Sequence, residues 1–131
     1  MKDPIFKRLL ELHPKFSDLS LTRITKLLKK LKFNEKKLPK VIHIAGTNGK
    51  GSTASIIKSL LNEHNYTTHL YTTPHLVKFN ERIQLYSKDI SDQHLLKYLY
   101  HCEKINQKNL ITYFEITTAA ALMAYQDHPA D

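Results

Sequence analysis

Gly46, Gly49 and Gly51 are the only three glycines in a chain of 131 residues, and they fall within six positions. Around them runs Val41-Ile42-His43-Ile44-Ala45-Gly46-Thr47-Asn48-Gly49-Lys50-Gly51-Ser52-Thr53. Glycine permits positive φ and close approach of a ligand to the backbone, so the cluster marks a tight bend that exposes N–H donors. An apolar, β-branched run enters the bend, and a helix-compatible run, Ala54 to Asn62, leaves it. N–H groups at such a strand-to-helix junction, with the helix dipole behind them, form a seat for phosphate. Lys50 adds a flexible cation, while Ser52 and Thr53 add hydroxyls able to reach a phosphate or its Mg²⁺. The spacing departs from the generic phosphate loop, which puts the first glycine five residues before the second and a hydroxyl directly after the lysine. Here Gly46 stands three before Gly49, and Gly51 separates Lys50 from Ser52. A turn that only joined a strand to a helix would have no use for Lys, Ser and Thr at those places.

Several elements must position this loop. Val41–Ala45 is expected as a strand and Thr53–His64 as a helix whose buried face carries Ile56, Ile57, Leu60 and Leu61. A turn over Asn65–Thr68 leads to a second strand, His69–Thr73. Strand, crossover helix and strand imply a parallel pair with a right-handed connection. Ligands gather at the carboxyl ends of such strands, where both the glycine loop and Thr72-Thr73-Pro74-His75 fall. Ahead of this unit, residues 4 to 12 read as a helix with Asp3 as cap and Pro4 at its first position, ended by His13-Pro14. A second helix spans about Ser20 to Lys32, with Leu21, Ile24, Leu27, Leu28 and Leu31 as its apolar stripe. Asn34 to Pro39 is a polar connector. Beyond the second strand come a loop, Leu76–Glu81, and a strand-like Arg82–Tyr86 that turns out through Ser87-Lys88-Asp89. A helix over Asp92–Ile105 is capped by Ser91, and a last apolar helix, Ile116–Gln126, is opened by Thr112–Glu115.

The fold class is therefore α/β, a parallel-sheet P-loop nucleotide-binding domain. Residues 1–40 form a helical lead-in and residues 41–131 the P-loop portion. Two strands and a weak third do not cover both faces of a parallel sheet. The domain is thus expected to be incomplete at its C-terminal end, the N-terminal part of a larger ATP-binding domain.

Composition narrows the function classes. A single cysteine, Cys102, excludes an internal disulfide and fits a reducing compartment; it reads as a small helix side chain. No apolar run approaches the ~20 residues needed to span a bilayer, and the N-terminus lacks a signal peptide's apolar core. A cytoplasmic protein without a membrane partner is expected. The formal net charge is +8, and seven lysines lie between Lys26 and Lys40 with only Glu35 opposing them. That patch reads as a solvated face, since a single-strand binder interleaves aromatics and Phe33 stands alone. A positive field also favours an anionic small substrate.

Four segments carry a resemblance: His43-Ile44-Ala45-Gly46-Thr47-Asn48-Gly49-Lys50-Gly51-Ser52, then Tyr71-Thr72-Thr73-Pro74-His75-Leu76, then Phe79-Asn80-Glu81-Arg82-Ile83, then Thr112-Tyr113-Phe114-Glu115. In this order they resemble the folylpolyglutamate synthases and dihydrofolate synthases, Mur-ligase-like ATP-dependent amide ligases. The resemblance spans nearly the whole chain and about the first third of a typical member, and it accounts for the glycine spacing. It implies that ATP phosphorylates a folate or dihydropteroate carboxylate and that the amine of L-glutamate attacks the acyl phosphate. Cations and N–H donors must screen the two anions as they meet.

By the same resemblance, Gly49, Lys50, Gly51 and Ser52 bind the ATP phosphates, with Lys50 catalytic on the transferring one. Thr73 takes the place of a serine whose hydroxyl binds Mg²⁺. Thr112, Tyr113, Phe114 and Glu115, together with Glu11, Leu12, His13 and Pro14, resemble segments lining the pterin-bearing substrate site. Glu115 also reads as a helix cap, and His75 as a solvent-contacting loop residue. The partners implied are small molecules, and a monomer is expected. The family's further Mg²⁺ ligands, adenine contacts and second domain match nothing up to Asp131, so little or no ligase activity is expected of this chain alone. Two other readings stand beside this one: a basic nucleic-acid-binding module using Lys26–Lys40, and a small P-loop kinase or GTPase. Against the latter, no second strand ends in the Asp that would hold Mg²⁺.

Overall fold

The computed structural model of the chain describes residues 3–13 and 20–131. Helix α1 spans Pro4–Glu11, and Asp3 caps it by accepting the Ile5 N–H at 2.9 Å. Helix α2 covers Thr22–Lys30. Two longer helices, α4 over Asp92–Asn106 and α5 over Tyr113–Asp127, pack on each other and on α1 and α2. Ser91 caps α4 through the His94 N–H, and Thr112 caps α5 through the Glu115 N–H. Such caps satisfy donors that the first helical turn leaves without partners.

The core lies among these four helices. Ile5 and Leu9 of α1, Leu27 of α2, Leu95, Leu99 and Cys102 of α4, and Ile116, Ala119, Ala120 and Ala124 of α5 are all buried. Full burial of one such leucine stabilises the fold by about 1.5–3 kcal/mol. The buried alanines of α5 leave room for the larger side chains of the helices packed on it.

On one side of α5 lies a small sheet. Its strands, β1 (Leu70–Tyr71), β2 (Ile83–Leu85) and β3 (Lys88–Asp89), run in the order β1-β2-β3 with both pairings antiparallel. Leu70 faces Gln84 and Tyr71 faces Ile83, while Gln84 faces Asp89 and Leu85 faces Lys88. The β2–β3 turn places Tyr86 at φ 51° and Ser87 at φ 66°, the left-handed pair that two-residue hairpins favour. Tyr125 donates to the Leu70 carbonyl at 2.8 Å, and the Tyr71 and Thr118 hydroxyls meet at 3.0 Å, fixing β1 to α5.

The parallel sheet expected from the sequence is not what these residues form. Val41–Ala45 joins no sheet and makes no backbone–backbone hydrogen bond among the described residues; Val41 is 73% and Ile42 60% exposed. β1 pairs instead with the nearby β2, a closure that fixes a short loop and costs less chain entropy than a distant pairing. That leaves the run ahead of the glycine loop extended but without a neighbour. Helix α3 spans Lys50–Glu63, three residues earlier than expected, because Gly49 at φ 73° serves as its N-cap. Ile56 and Leu60 of α3, expected to be buried, are 61% and 58% exposed. The last helix also starts three residues earlier, at Tyr113, so Thr112–Glu115 is its cap and first turn. No helix among the described residues is long and apolar enough to cross a membrane.

Candidate functional site

The glycine loop bends through Thr47–Gly49 into α3, and only Gly49 there holds a left-handed conformation. A Cβ on Gly49 would meet nothing within 4 Å, so its glycine is required by backbone angle and not by crowding. No side chain caps α3. The Thr53 N–H and Thr53 hydroxyl both go to the Gly49 carbonyl at 2.9 Å, which leaves the Lys50, Gly51 and Ser52 N–H groups without acceptors among the described residues. Lys50 lies back across the loop, its Nζ 2.6 Å from the Gly46 carbonyl and 3.3 Å from that of Thr47. Free donors, an adjacent ammonium and an exposed Ser52 hydroxyl make this helix start an anion seat.

Thr73 lies at the same end of the fold. Near the far end of α3, Asn62 Nδ2 donates to Ser87 Oγ at 2.7 Å; one turn back, Lys58 Nζ reaches Gln84 Oε1 at 2.7 Å. Moving toward the start of α3 therefore moves along β2 toward Arg82, whose carbonyl accepts the Thr72 N–H at 3.0 Å. Thr73, the next residue, is exposed. His75 is a half-buried loop residue that keeps solvent contact, and its Nδ1 accepts from Arg82 Nε at 2.8 Å.

Of the remaining predicted residues, Tyr113 packs on Phe79, which is buried. Its ring meets Phe6 of α1 at 5.3 Å, His75 at 5.7 Å and Tyr113 at 5.8 Å, with the Arg82 guanidinium 5.1 Å above it. Burial pushes the Tyr113 phenol up to about 12. The Leu12 carbonyl accepts the Ile111 N–H at 3.1 Å, which sets Glu11, Leu12 and His13 beside Thr112–Glu115. Pro14 lies outside the described residues. Phe114 is 54% exposed, whereas Glu115 is buried and accepts from Thr112 N at 2.8 Å and Arg23 Nε at 3.0 Å. Burial raises the Glu115 carboxyl, but the Thr112 N–H and the Arg23 guanidinium outweigh it and hold its pKa below the ordinary value. Arg23, Glu81 and Arg82 thus belong to the site's framework although sequence reading assigned them no role. Glu81 and Arg82 do fall in one of the four segments that carry the resemblance, Phe79–Ile83. The open groove between α1 and α4, of about 520 Å³, is lined by none of these residues; its Arg8 is already satisfied by Glu103 at 2.7 and 2.8 Å.

No family model matches the chain. The dihydrofolate synthase/folylpolyglutamate synthase of Haemophilus influenzae is 34% identical over 120 residues, which is 91% of this chain and 27% of that protein. Its Bacillus subtilis counterpart is 38% identical over 118 residues, 85% of this chain and 27% of that protein. The chain is a homologue of the dihydrofolate synthase/folylpolyglutamate synthases. It spans about a quarter of the length of these curated relatives. Among solved structures, Escherichia coli FolC in complex with DHPP and ADP superposes with a TM-score of 0.88 at 29% identity, over 99% of this chain and 32% of that one. The Yersinia pestis folylpolyglutamate synthase/dihydrofolate synthase complexed with AMPPNP and Mn gives 0.86 at 27% identity, over 99% and 32%. The backbone of this chain is thus arranged as in about a third of a dihydrofolate synthase/folylpolyglutamate synthase.

Proposed function

We propose that this chain supplies the phosphate-gripping part of an ATP-dependent ligase that joins L-glutamate to the carboxylate of a folate or dihydropteroate. Residues 1–40 serve as helical lead-in and residues 41–131 as the P-loop portion of the ATP-binding domain. The observation that carries this reading is the start of α3, where three N–H groups without acceptors among the described residues stand beside Ser52, with the Lys50 ammonium folded over the same loop. That homologues were solved with ADP, or with AMPPNP and Mn, supports a nucleotide as the ligand.

In this reading the Gly49–Ser52 backbone and Ser52 hydroxyl hold the phosphates of ATP, a substrate of the reaction. Lys50 exchanges its two carbonyl partners for the transferring phosphate, offsetting charge as that group meets the substrate carboxylate. Mg²⁺, when bound, neutralises phosphate charge and orients the tail. No group of three or more His, Cys, Asp or Glu side chains converges among the described residues, so the chain's own donors are the Thr73 and Ser52 hydroxyls. Hard oxygens from one or two side chains, completed by phosphate and water, suit Mg²⁺. Thr112–Phe114 and Glu11–Pro14 flank the pterin-bearing substrate, and Glu115 holds the α5 start in place. The whole reaction needs surfaces beyond these, and this chain alone turns over little or no substrate.

Calorimetric titration of ADP with Mg²⁺ into the chain tests the reading. The wild-type chain binds, and Lys50→Ala weakens binding by roughly 10- to 100-fold, the scale of one charged hydrogen bond. A wild-type chain indifferent to the nucleotide sinks it.

A further inference from the structure

The loop from Thr73 to Lys78 is held in an unusual way. Leu76 is 92% and Val77 83% exposed, so burial does not fix it. Among the described residues, every hydrogen bond made by Thr73–Lys78 goes to Glu81 or Arg82. Glu81 Oε2 accepts the Leu76 N–H at 2.8 Å, and its Oε1 accepts those of Val77 at 3.0 Å and Lys78 at 2.6 Å. Arg82 adds one bond, from Nε to His75 Nδ1. Three successive amides on one carboxylate form a charge-assisted anchor, and the Lys78 and Leu76 N–H groups are the main reason the Glu81 carboxyl sits below its ordinary range. Glu81 itself is planted on the 3-10 turn Phe79–Arg82, whose Phe79 is buried. The anchor therefore runs from the core, through one side chain, to a loop whose other ties are those of His75 to Arg82 and Phe79.

We propose that Glu81 is a positioning residue: by holding the Leu76, Val77 and Lys78 N–H groups it keeps the Thr73–Lys78 loop ordered, so that the Thr73 hydroxyl is presented to the metal on the nucleotide's phosphates. The proposal rests on the reading of Thr73 and the glycine loop given above. A loop without the anchor would have to give up its freedom each time the metal–nucleotide bound, and affinity would fall by that entropy. Metal-free nucleotide, held by the glycine loop alone, would not sense the change.

The test uses the wild-type chain, Glu81→Ala and the isosteric Glu81→Gln, which keeps one acceptor oxygen. Two quantities are read: amide hydrogen exchange at Leu76, Val77 and Lys78, and the gain in ADP affinity on adding Mg²⁺. In wild type the three amides are protected and Mg²⁺ raises affinity. In Glu81→Ala protection is lost and the Mg²⁺-dependent gain drops by about tenfold or more, the scale seen for partners that orient metal ligands; Glu81→Gln lies between. If Glu81→Ala does not fold, Glu81→Gln decides on the same two readouts. Lost protection with an undiminished gain overturns the positioning role, as do amides that stay protected in both variants. A wild-type chain that binds ADP equally well with and without Mg²⁺ overturns the reading of Thr73 itself, and the proposal falls with it.

Discussion

Arg23 of α2 and Glu115 of α5 form an ion pair of 3.0 Å across 92 positions of sequence. The same carboxylate closes the capping box with Thr112, so a single side chain fixes the first turn of α5 both to its own cap and to α2. The Thr112–Glu115 segment is thereby placed before any ligand arrives.

This pair predicts an acid response with a definite sign. The folded pKa of Glu115 lies below the ordinary 4.5. Its stabilisation is therefore present above about that pH and lost as pH falls through the depressed folded value. Thermal melts from pH 7 to pH 3 should show wild type losing more stability below pH 4.5 than Glu115→Gln, with the two curves converging in acid. At neutral pH the variant should be weaker by about 2 kcal/mol. Parallel curves would contradict the pairing.

The two glycines flanking Lys50 should respond in opposite directions. Gly49 sits at φ 73°, so Gly49→Ala forces a side chain into left-handed backbone and costs about 1–2 kcal/mol. Gly51 lies in α3 at an ordinary φ with nothing within 4 Å of an added Cβ. Gly51→Ala should stabilise the helix by up to about 1 kcal/mol. Both variants should still bind ADP less tightly, Gly51→Ala because its methyl stands where a phosphate approaches. Urea unfolding and ADP titration on the two proteins separate the effects.

Cys102 is fully buried in α4, and burial alone raises its thiol to about 12. A thiol kept neutral and covered reacts only when the core opens. Labelling with an aromatic disulfide reagent at pH 8 should follow the unfolding transition in urea. Rapid labelling in native buffer would place α4 differently.

What the sequence disclosed and what it hid divide along local and non-local lines. Asp3-Pro4, Ser91 and Thr112 with Glu115 announce helix starts because a cap is made by residues within three positions of it, and α4 ends one residue from its expected limit. Pairing of Val41–Ala45 depends on chain elsewhere, so an apolar β-branched run looked like a strand that the fold leaves bare. The Tyr86-Ser87 hairpin turn was hidden because neither residue advertises positive φ as Gly or Asn does. Within the candidate site, Lys50 and its glycines stood out by composition. Glu81 did not, since holding a neighbour's amides leaves no periodic trace. Arg23 lies 92 positions from Glu115, so nothing local marked the pairing.

The bare run Val41–Ala45 belongs to a chain that spans about a quarter of its relatives' length, and its idle N–H and C=O groups are an edge on which a further strand can add itself. Where none does, Lys36, Lys37 and Lys40, exposed just upstream, put like charge in the path of a second copy.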